Sequence, residues 1–159
     1  MTTSNYKSIA SKLKFEGRAF INGKYVDAID GGKFENINPA TGAILCSVTK
    51  CNHKDVDLAV KTSRKAFESG IWSKSAPEYR KEILLKFAEL LRKHGVENSV
   101  LECVDTGKLI NDCLNEVAND TPMHFQWYAE LIDKTFGKVS PTDPSITSLI
   151  VKEPIGVVA

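Results

Sequence analysis

The sequence predicts an α/β chain, β-rich in its first third and helical through most of the remainder, and three observations carry that prediction. Asn22-Gly23 sits between two short β-prone runs in AFINGKYVDA, and this pair best tolerates positive φ at both centres of a type I′ turn. After residue 52, apolar residues recur at helical spacing, with glycine or proline at the breaks. Near the end, residues 146–151 return to a β-branched run.

Taken in order, Tyr6, Ile9, Ala10 and Leu13 keep helical spacing and suggest a short amphipathic arm over residues 1–18. The tight hairpin at Asn22-Gly23 comes next. Phe34 to Asn38 alternates, Pro39 to Gly42 turns, and Ala43 to Val48 forms the returning strand. Val56, Ala59, Val60, Ser63 and Phe67 line one face of a first long helix, with Asn52 or His53 as its cap and Gly70 just past its end. Ser75 and Pro77 open a second helix whose stripe is Ile83, Leu84, Phe87, Leu90 and Leu91, with Gly95 as its stop. A third helix covers about residues 97–104 and ends where Gly107 can take a left-handed cap. Residues 110–136 are helical in pattern but contain Pro122, so two helices or one kinked helix fit, and Gly137 closes the region. Pro141 and Pro144 then mark a loop before the final strand.

Composition excludes several classes. With 21 Lys and Arg against 20 Asp and Glu there is no basic field to draw in a nucleic-acid backbone. The hydrophobic share of 42% and charged share of 26% are those of a globular domain, which argues against disorder. No window reaches membrane-spanning length and the first thirty residues lack the apolar core of a secretory signal, so the expectation is a cytoplasmic protein with no membrane partner. Cys46, Cys51, Cys103 and Cys113 form no CxxC pair and the three histidines are scattered, which points to reduced, structural cysteines and no zinc site.

Catalytic motifs are absent too. There is no Gly-x-Gly-x-x-Gly after a strand and no phosphate loop, since Gly107-Lys108 lacks the upstream glycine and the following hydroxyl. Cys103 lies between Glu102 and Asp105, and Cys113 beside Asp112, and acidic neighbours raise a thiol pKa where a nucleophile needs it lowered. Phe125, Trp127 and Tyr128 are close together without basic interleaving, so they read as core more readily than as a stacking platform. Read from the residues alone, this is an α/β piece without a complete active site.

Seven blocks nevertheless occur in the order and approximate spacing of one family: FINGKYVDA, FENINPATGAIL, DVDLAVKTSRKAFESGIWS, RKEILLKFAELLRKH, LECVDTGKLI, WYAELIDKTFGKV and IVKEPIGVVA. From about Phe20 to Ala159 the chain resembles the amino-terminal portion of the aldehyde dehydrogenase superfamily, and the arm, hairpin and Trp127–Val139 run look most like its γ-glutamyl-γ-aminobutyraldehyde dehydrogenase branch. The resemblance implies an incomplete fold: β hairpins, four or five helices, and the start of the oligomerisation β element. Residues 19–144 would be the amino-terminal part of the cofactor-binding domain and 145–159 the first, truncated strand of that element. The family's nicotinamide-binding glycines, general-base glutamate and nucleophilic cysteine fall beyond Ala159. The apolar ending LIVKEPIGVVA is therefore expected to be a cut rather than a natural terminus.

The same resemblance implies a fragment of an NAD(P)-dependent enzyme that oxidises aldehydes to carboxylic acids, inactive alone, with no catalytic residue and no NAD or NADP bound by this chain. The complete enzyme would be a homo-oligomer and would alone take the aldehyde substrate. One site carries over residue by residue. Family members hold a structural monovalent cation through main-chain oxygens matching Asn36 and Ile37 and a carboxylate matching Asp105, hard oxygen ligands that suit such an ion. Cys103 and Leu109 depart from the family's usual threonine and proline. A competing reading is an interaction module that adds an exposed strand at 146–158 to a sheet edge of a full-length family member. Either way, helix faces that lack their sheet should leave the chain with exposed apolar surface.

Overall fold

The computed structural model describes residues 3–158; Met1, Thr2 and Ala159, which belong to the expected arm and final segment, lie outside the described residues. The described elements are helix α1 (Thr3–Ala10), strands β1 (Ala19–Ile21), β2 (Lys24–Val26), β3 (Lys33–Ile37) and β4 (Ile44–Thr49), and helices α2 (His53–Ser69), α3 (Pro77–Lys93) and α4 (Gly95–Thr106). Then come α5 (Ile110–Cys113), a π-helical segment (Leu114–Asp120), α6 (Thr121–Leu131), and strands β5 (Lys138–Ser140) and β6 (Ser148–Ile150). The strands form three separate antiparallel pairs, β1-β2, β3-β4 and β5-β6.

The first hairpin turns as its sequence requires, with Asn22 at φ 53° and Gly23 at φ 76°. In β3-β4, Asn36 faces Cys46 and Ile37 faces Ile44, so the register slips between Asn36 and Ile37. Such a bulge bends the strand and re-aims its side chains.

Helix α2 starts at a capping box. The Asn52 side chain accepts the Lys54 N–H at 2.8 Å and Asp55 accepts the Asn52 N–H at 2.8 Å. The other oxygen of Asp55, a residue only 2% exposed, accepts the Ile29 N–H at 2.9 Å. One buried carboxylate thus fixes the angle between the β region and α2. Gly70 closes the helix at φ 75°, and Gly107 closes α4 at φ 76°, both as left-handed caps.

Helix α3 opens at Pro77 as expected, with Ala76 before it, while the Ser75 hydroxyl donates to the Trp72 carbonyl at 2.7 Å. Two sequence expectations need correction. Gly95 is no stop, because it is the first residue of α4 and is buried, and a Cβ there would lie 2.8 Å from that of Ala118. Gly137 likewise allows close approach: α6 has already ended at Leu131, and a Cβ on Gly137 would meet the Ile150 carbonyl oxygen at 2.6 Å.

Pro122 neither breaks the helix nor splits it into two capped ones. Right-handed helical dihedrals run through Leu114, Asp120 and Thr121. The wider π turn before Pro122 relieves the clash its ring would have with the carbonyl four residues back, and the Thr121 N–H and hydroxyl both go to the Glu116 carbonyl.

The core is narrow. Ala88 of α3 and Ala129 of α6 have no exposed surface, Phe87 meets Phe125 edge to face at 4.7 Å, and α4 packs on the π segment around Val100, Ser99 and Cys113. The Ser99 hydroxyl satisfies its burial by sharing its proton between the carbonyls of Gly95 (2.7 Å) and Cys113 (3.1 Å). At the rim, Lys81 of α3 reaches Asp133 beyond α6 at 2.9 Å.

Outside that seam, coverage is sparse. Val56 and Val60 on the apolar stripe of α2 are 55% and 50% exposed. The chain presents 11886 Å² of accessible surface, about 4,000 Å² more than the scaling for a compact monomer of this size gives. In β5-β6, the facing pair Val139 and Leu149 is open to solvent. The expected strand over 146–151 is realised only at Ser148–Ile150, because residues 151–158 find no partner strand, Pro154 offers no N–H, and Gly156 turns at φ 116°. No helix among the described residues is long and apolar enough to cross a membrane.

This packing makes two outcomes measurable. Asp55→Ala strips two backbone donors of their acceptor and should lower the unfolding free energy by about 2 kcal/mol in urea titrations. An unchanged midpoint would mean the latch holds nothing. Asp133 is held down at about 2 by hydrogen bonds from Lys134 and then Lys81. Its folded value lies below the ordinary one of 3.8, so its contribution is present above that value and is lost as pH falls through about 2. Asp133→Asn should therefore lower the thermal midpoint at neutral pH, converge with wild type in strong acid, and show a smaller difference in high salt.

Candidate functional site

The three residues expected to hold a cation lie where the bulged end of β3 meets the last turn of α4. The Asn36 side-chain amide donates to Asp105 at 2.5 Å across 69 residues of sequence. What brings these elements together is a contact invisible in either segment: a Cβ on Gly107 would lie 2.8 Å from the Pro39 ring. Glycine at this position therefore both caps the helix and lets the turn after β3 settle on it. Ile37 comes directly after Asn36, with its side chain 50% exposed, so what it can offer a ligand is its main-chain oxygen.

The chemistry of this junction suits a cation in kind. Asp105 keeps a second carboxylate oxygen besides the one bonded to Asn36, main-chain carbonyls lie at the strand end, and the C-terminal end of a helix carries partial negative charge. Among the described residues there is no group of three or more His, Cys, Asp and Glu placed to hold a metal ion. Any ion here would rest on one carboxylate and neutral oxygens, a donor set for a weakly held monovalent ion rather than a transition metal.

The thiols divide by burial. Cys113 has no exposed surface, and that burial, together with the proximity of Cys103, pushes its thiol above the ordinary value. A thiol raised in this way is a poor nucleophile. Cys46 and Cys103 are half-buried and Cys51 is exposed; all four are free.

Sequence reasoning did not foresee one open cleft. About 790 Å³ opens between the second half of α2, the start of α3 and residues 152–158, with Phe67, Trp72 and Arg80 in its walls. Phe67 lies on the predicted apolar stripe of α2, so the cleft continues the exposed face at Val56 and Val60. The aromatics Trp127 and Tyr128, expected in the core, are 61% and 63% exposed. Only Phe125 of that trio turns inward, to Phe87.

Comparison with known proteins gives a consistent result. The sequence model of the aldehyde dehydrogenase family matches residues 25–159. The chain is similar to aminoacetaldehyde dehydrogenase of Pseudomonas aeruginosa, with 41% identity over 158 residues that cover 99% of this chain and 32% of the relative. Its fold superimposes with a TM-score of 0.93 on Pseudomonas syringae AldA indole-3-acetaldehyde dehydrogenase, a mutant in complex with NAD+ and IAA, at 38% identity over 98% of this chain and 32% of that one. Against the γ-glutamyl-γ-aminobutyraldehyde dehydrogenase of Burkholderia cenocepacia the TM-score is 0.86, with 39% identity over 90% of this chain and 29% of that one. The chain spans about a third of the length of the curated relatives it matches.

Burial orders the thiols. Under native conditions a disulfide reagent should label Cys51 first and Cys113 last, with Cys113 reacting only on unfolding. Peptide mapping of early time points checks this, and early labelling of Cys113 would contradict the packing of α4 on α5.

Proposed function

The chain belongs to the aldehyde dehydrogenase family, and on that premise we propose that it supplies the amino-terminal part of an NAD(P)-dependent aldehyde dehydrogenase and performs no catalysis by itself. The observation that carries this reading is the surface. About 4,000 Å² more exposed area than a compact monomer of this size needs, with many large apolar side chains open to solvent in helices, strands and loops alike, supports packing against further structure. The share of each relative that it spans, about a third, supports the same reading.

In this proposal residues 19–144 support the cofactor-binding domain and residues 145–159 begin the oligomerisation element of a homo-oligomeric, cytoplasmic enzyme. The nicotinamide cofactor and the aldehyde are taken by the complete enzyme, whose chemistry needs an activated thiolate, an oxyanion site and a hydride acceptor. No residue of this chain is assigned to those roles. Buried Cys113 is the least suited of the four thiols.

The interaction-module reading rests on a separate observation, the exposed hairpin β5-β6. Its Leu149 and Ile150 are 63% and 54% exposed, and it pairs with no further strand among the described residues. An open edge of this kind can accept or donate a strand. Co-elution of the chain with a full-length family member, abolished by Leu149→Lys, would favour that reading.

The cation site is part of the proposal: the Asp105 carboxylate with the main-chain oxygens of Asn36 and Ile37 holds a monovalent ion. The ion ties the bulge of β3 to the end of α4, beside the Asn36 to Asp105 hydrogen bond.

Both parts can be tested directly. The purified chain should give no aldehyde-dependent rise in NAD(P)H absorbance, and saturable turnover would overturn the main reading. Replacing sodium or potassium by a bulky organic cation at constant ionic strength should lower the thermal midpoint of the wild-type chain. The same exchange should leave Asp105→Ala unmoved, and an equal drop in both would rule out an ion at this junction.

A further inference from the structure

We propose that Asn22 is a site of spontaneous chemical modification, where deamidation to aspartate and isoaspartate through a cyclic imide undoes the β1-β2 hairpin and releases it from α2.

The sequence supplies the reacting pair. Asn22 is the one asparagine followed by glycine, and the others precede residues that carry a β-carbon. The attacking atom in this reaction is the main-chain nitrogen of the following residue, and at Gly23 no side chain shields it. Both residues are exposed, and a Cβ on Gly23 would meet nothing within 4 Å. Other asparagines are held. The Asn36 amide donates to Asp105, Asn38 accepts the Ala40 N–H at 2.9 Å and precedes Pro39, which has no N–H, and Asn52 is occupied as the α2 cap. Asn98, Asn111, Asn115 and Asn119 lie within helical backbone. Asp30-Gly31, the acidic counterpart of the pair, has both carboxylate oxygens engaged, one by the Gly32 N–H at 2.9 Å and the other by the Asn52 amide at 2.8 Å.

The step balances with water alone. The Gly23 nitrogen adds to the side-chain carbonyl carbon of Asn22, a C–N bond forms, and the bond to the amide nitrogen breaks. That nitrogen leaves as ammonia with the proton of the Gly23 N–H. Water then opens the imide ring: cleavage at the side-chain carbonyl leaves aspartate, and cleavage at the main-chain carbonyl leaves isoaspartate. One water replaces one ammonia, and nothing is oxidised or reduced.

The hairpin sets the pace. Asn22 and Gly23 hold a type I′ turn at φ 53° and 76°, and ring closure requires the Asn22 main chain to rotate out of that turn. Strands β1 and β2 have three residues each and form a two-stranded sheet, an arrangement that is marginal by itself. Local opening therefore admits the reaction in the folded chain.

The products do not fit the turn. Isoaspartate adds a carbon to the main chain inside a two-residue loop whose length fixes the pairing of Ile21 with Lys24 and of Phe20 with Tyr25. Either product adds a negative charge to a chain of formal net charge +1. The turn also lies over α2, since Ile21, Asn22, Lys24 and Val26 line a cavity of about 200 Å³ together with Leu58 and Thr62. Loss of the hairpin register breaks the contact between β1 and α2.

The test incubates the purified chain in mildly alkaline buffer at physiological temperature and follows its tryptic peptides by mass and retention. The peptide Ala19–Lys24 should gain the mass of an amide-to-acid exchange roughly tenfold sooner than any other asparagine peptide, and should split into two isomers, the isoaspartyl one the larger. Asn22→Gly, which also accepts positive φ at that turn position, should abolish this conversion and leave the rest of the map unchanged. Earlier conversion at another asparagine overturns the assignment, as does an intact Asn22 after a synthetic peptide of residues 19–24 has fully converted. The isoaspartyl chain, isolated by ion exchange, should exchange the amides of residues 19–26 about tenfold faster than the Asn22→Gly chain. Equal exchange in the two overturns the release of the hairpin.

Discussion

What is stable in this chain converges on the seam between α3 and α6. Ala88 and Ala129 have no exposed surface there, and small residues let the two helices approach closely enough for Phe87 to meet Phe125 edge to face. From that seam the order spreads outward by contiguous packing: α6 continues from the π segment, the π segment packs on α4, and α4 supports α1. The β3-β4 pair joins through the turn that rests on Gly107 and through Asn36 on Asp105. At the far end the β3-β4 pair is held to α4 by one turn contact and one side-chain hydrogen bond, so cooperativity should fade in that direction.

This gradient explains why a fold with well-formed local features carries so little core. Caps, turns and the π accommodation of Pro122 are satisfied within a few residues of themselves and need no distant cover. Apolar stripes are different, because a stripe contributes stability only when another layer removes it from water. On α2 that second layer is missing, and its capping box and Asp55 latch hold the helix in place without burying it. The same physics governs residues 151–158, where Val151, Ile155, Val157 and Val158 are β-branched yet form no strand, since a strand exists only with a partner to complete its ladder and Pro154 and Gly156 interrupt the run.

The legible parts of the fold were those whose cause is local. Asn22-Gly23 announced its turn because few other pairs tolerate positive φ twice, and the start of α2 was legible to within the pair Asn52 and His53, of which Asn52 is the cap. Gly70 and Gly107 were recognisable as helix ends for the same reason. Gly95 and Gly137 resembled them in sequence and were misread, because a glycine that admits a neighbouring chain has the same local appearance as one that adopts a left-handed cap. Only the position of Ala118 or of the Ile150 carbonyl separates the two cases. The Asn36 to Asp105 junction spans 69 residues and left no periodic or spacing signal, so family resemblance alone put those residues side by side in advance. Trp127 and Tyr128 read as core because aromatics at helical spacing more often are, and their exposure shows that such spacing identifies a face without saying whether anything lies against it.

Native-state amide hydrogen exchange of the isolated chain tests the unpartnered state of α2 most directly, because it reads the stability of each helix separately. The α3 and α6 amides should be the best protected, and those of α2 beyond its first turn should exchange orders of magnitude faster despite well-formed helical geometry. Equal protection of α2 and α3 would mean that α2 is already fully integrated, and would contradict the claim that its apolar stripe awaits a further layer.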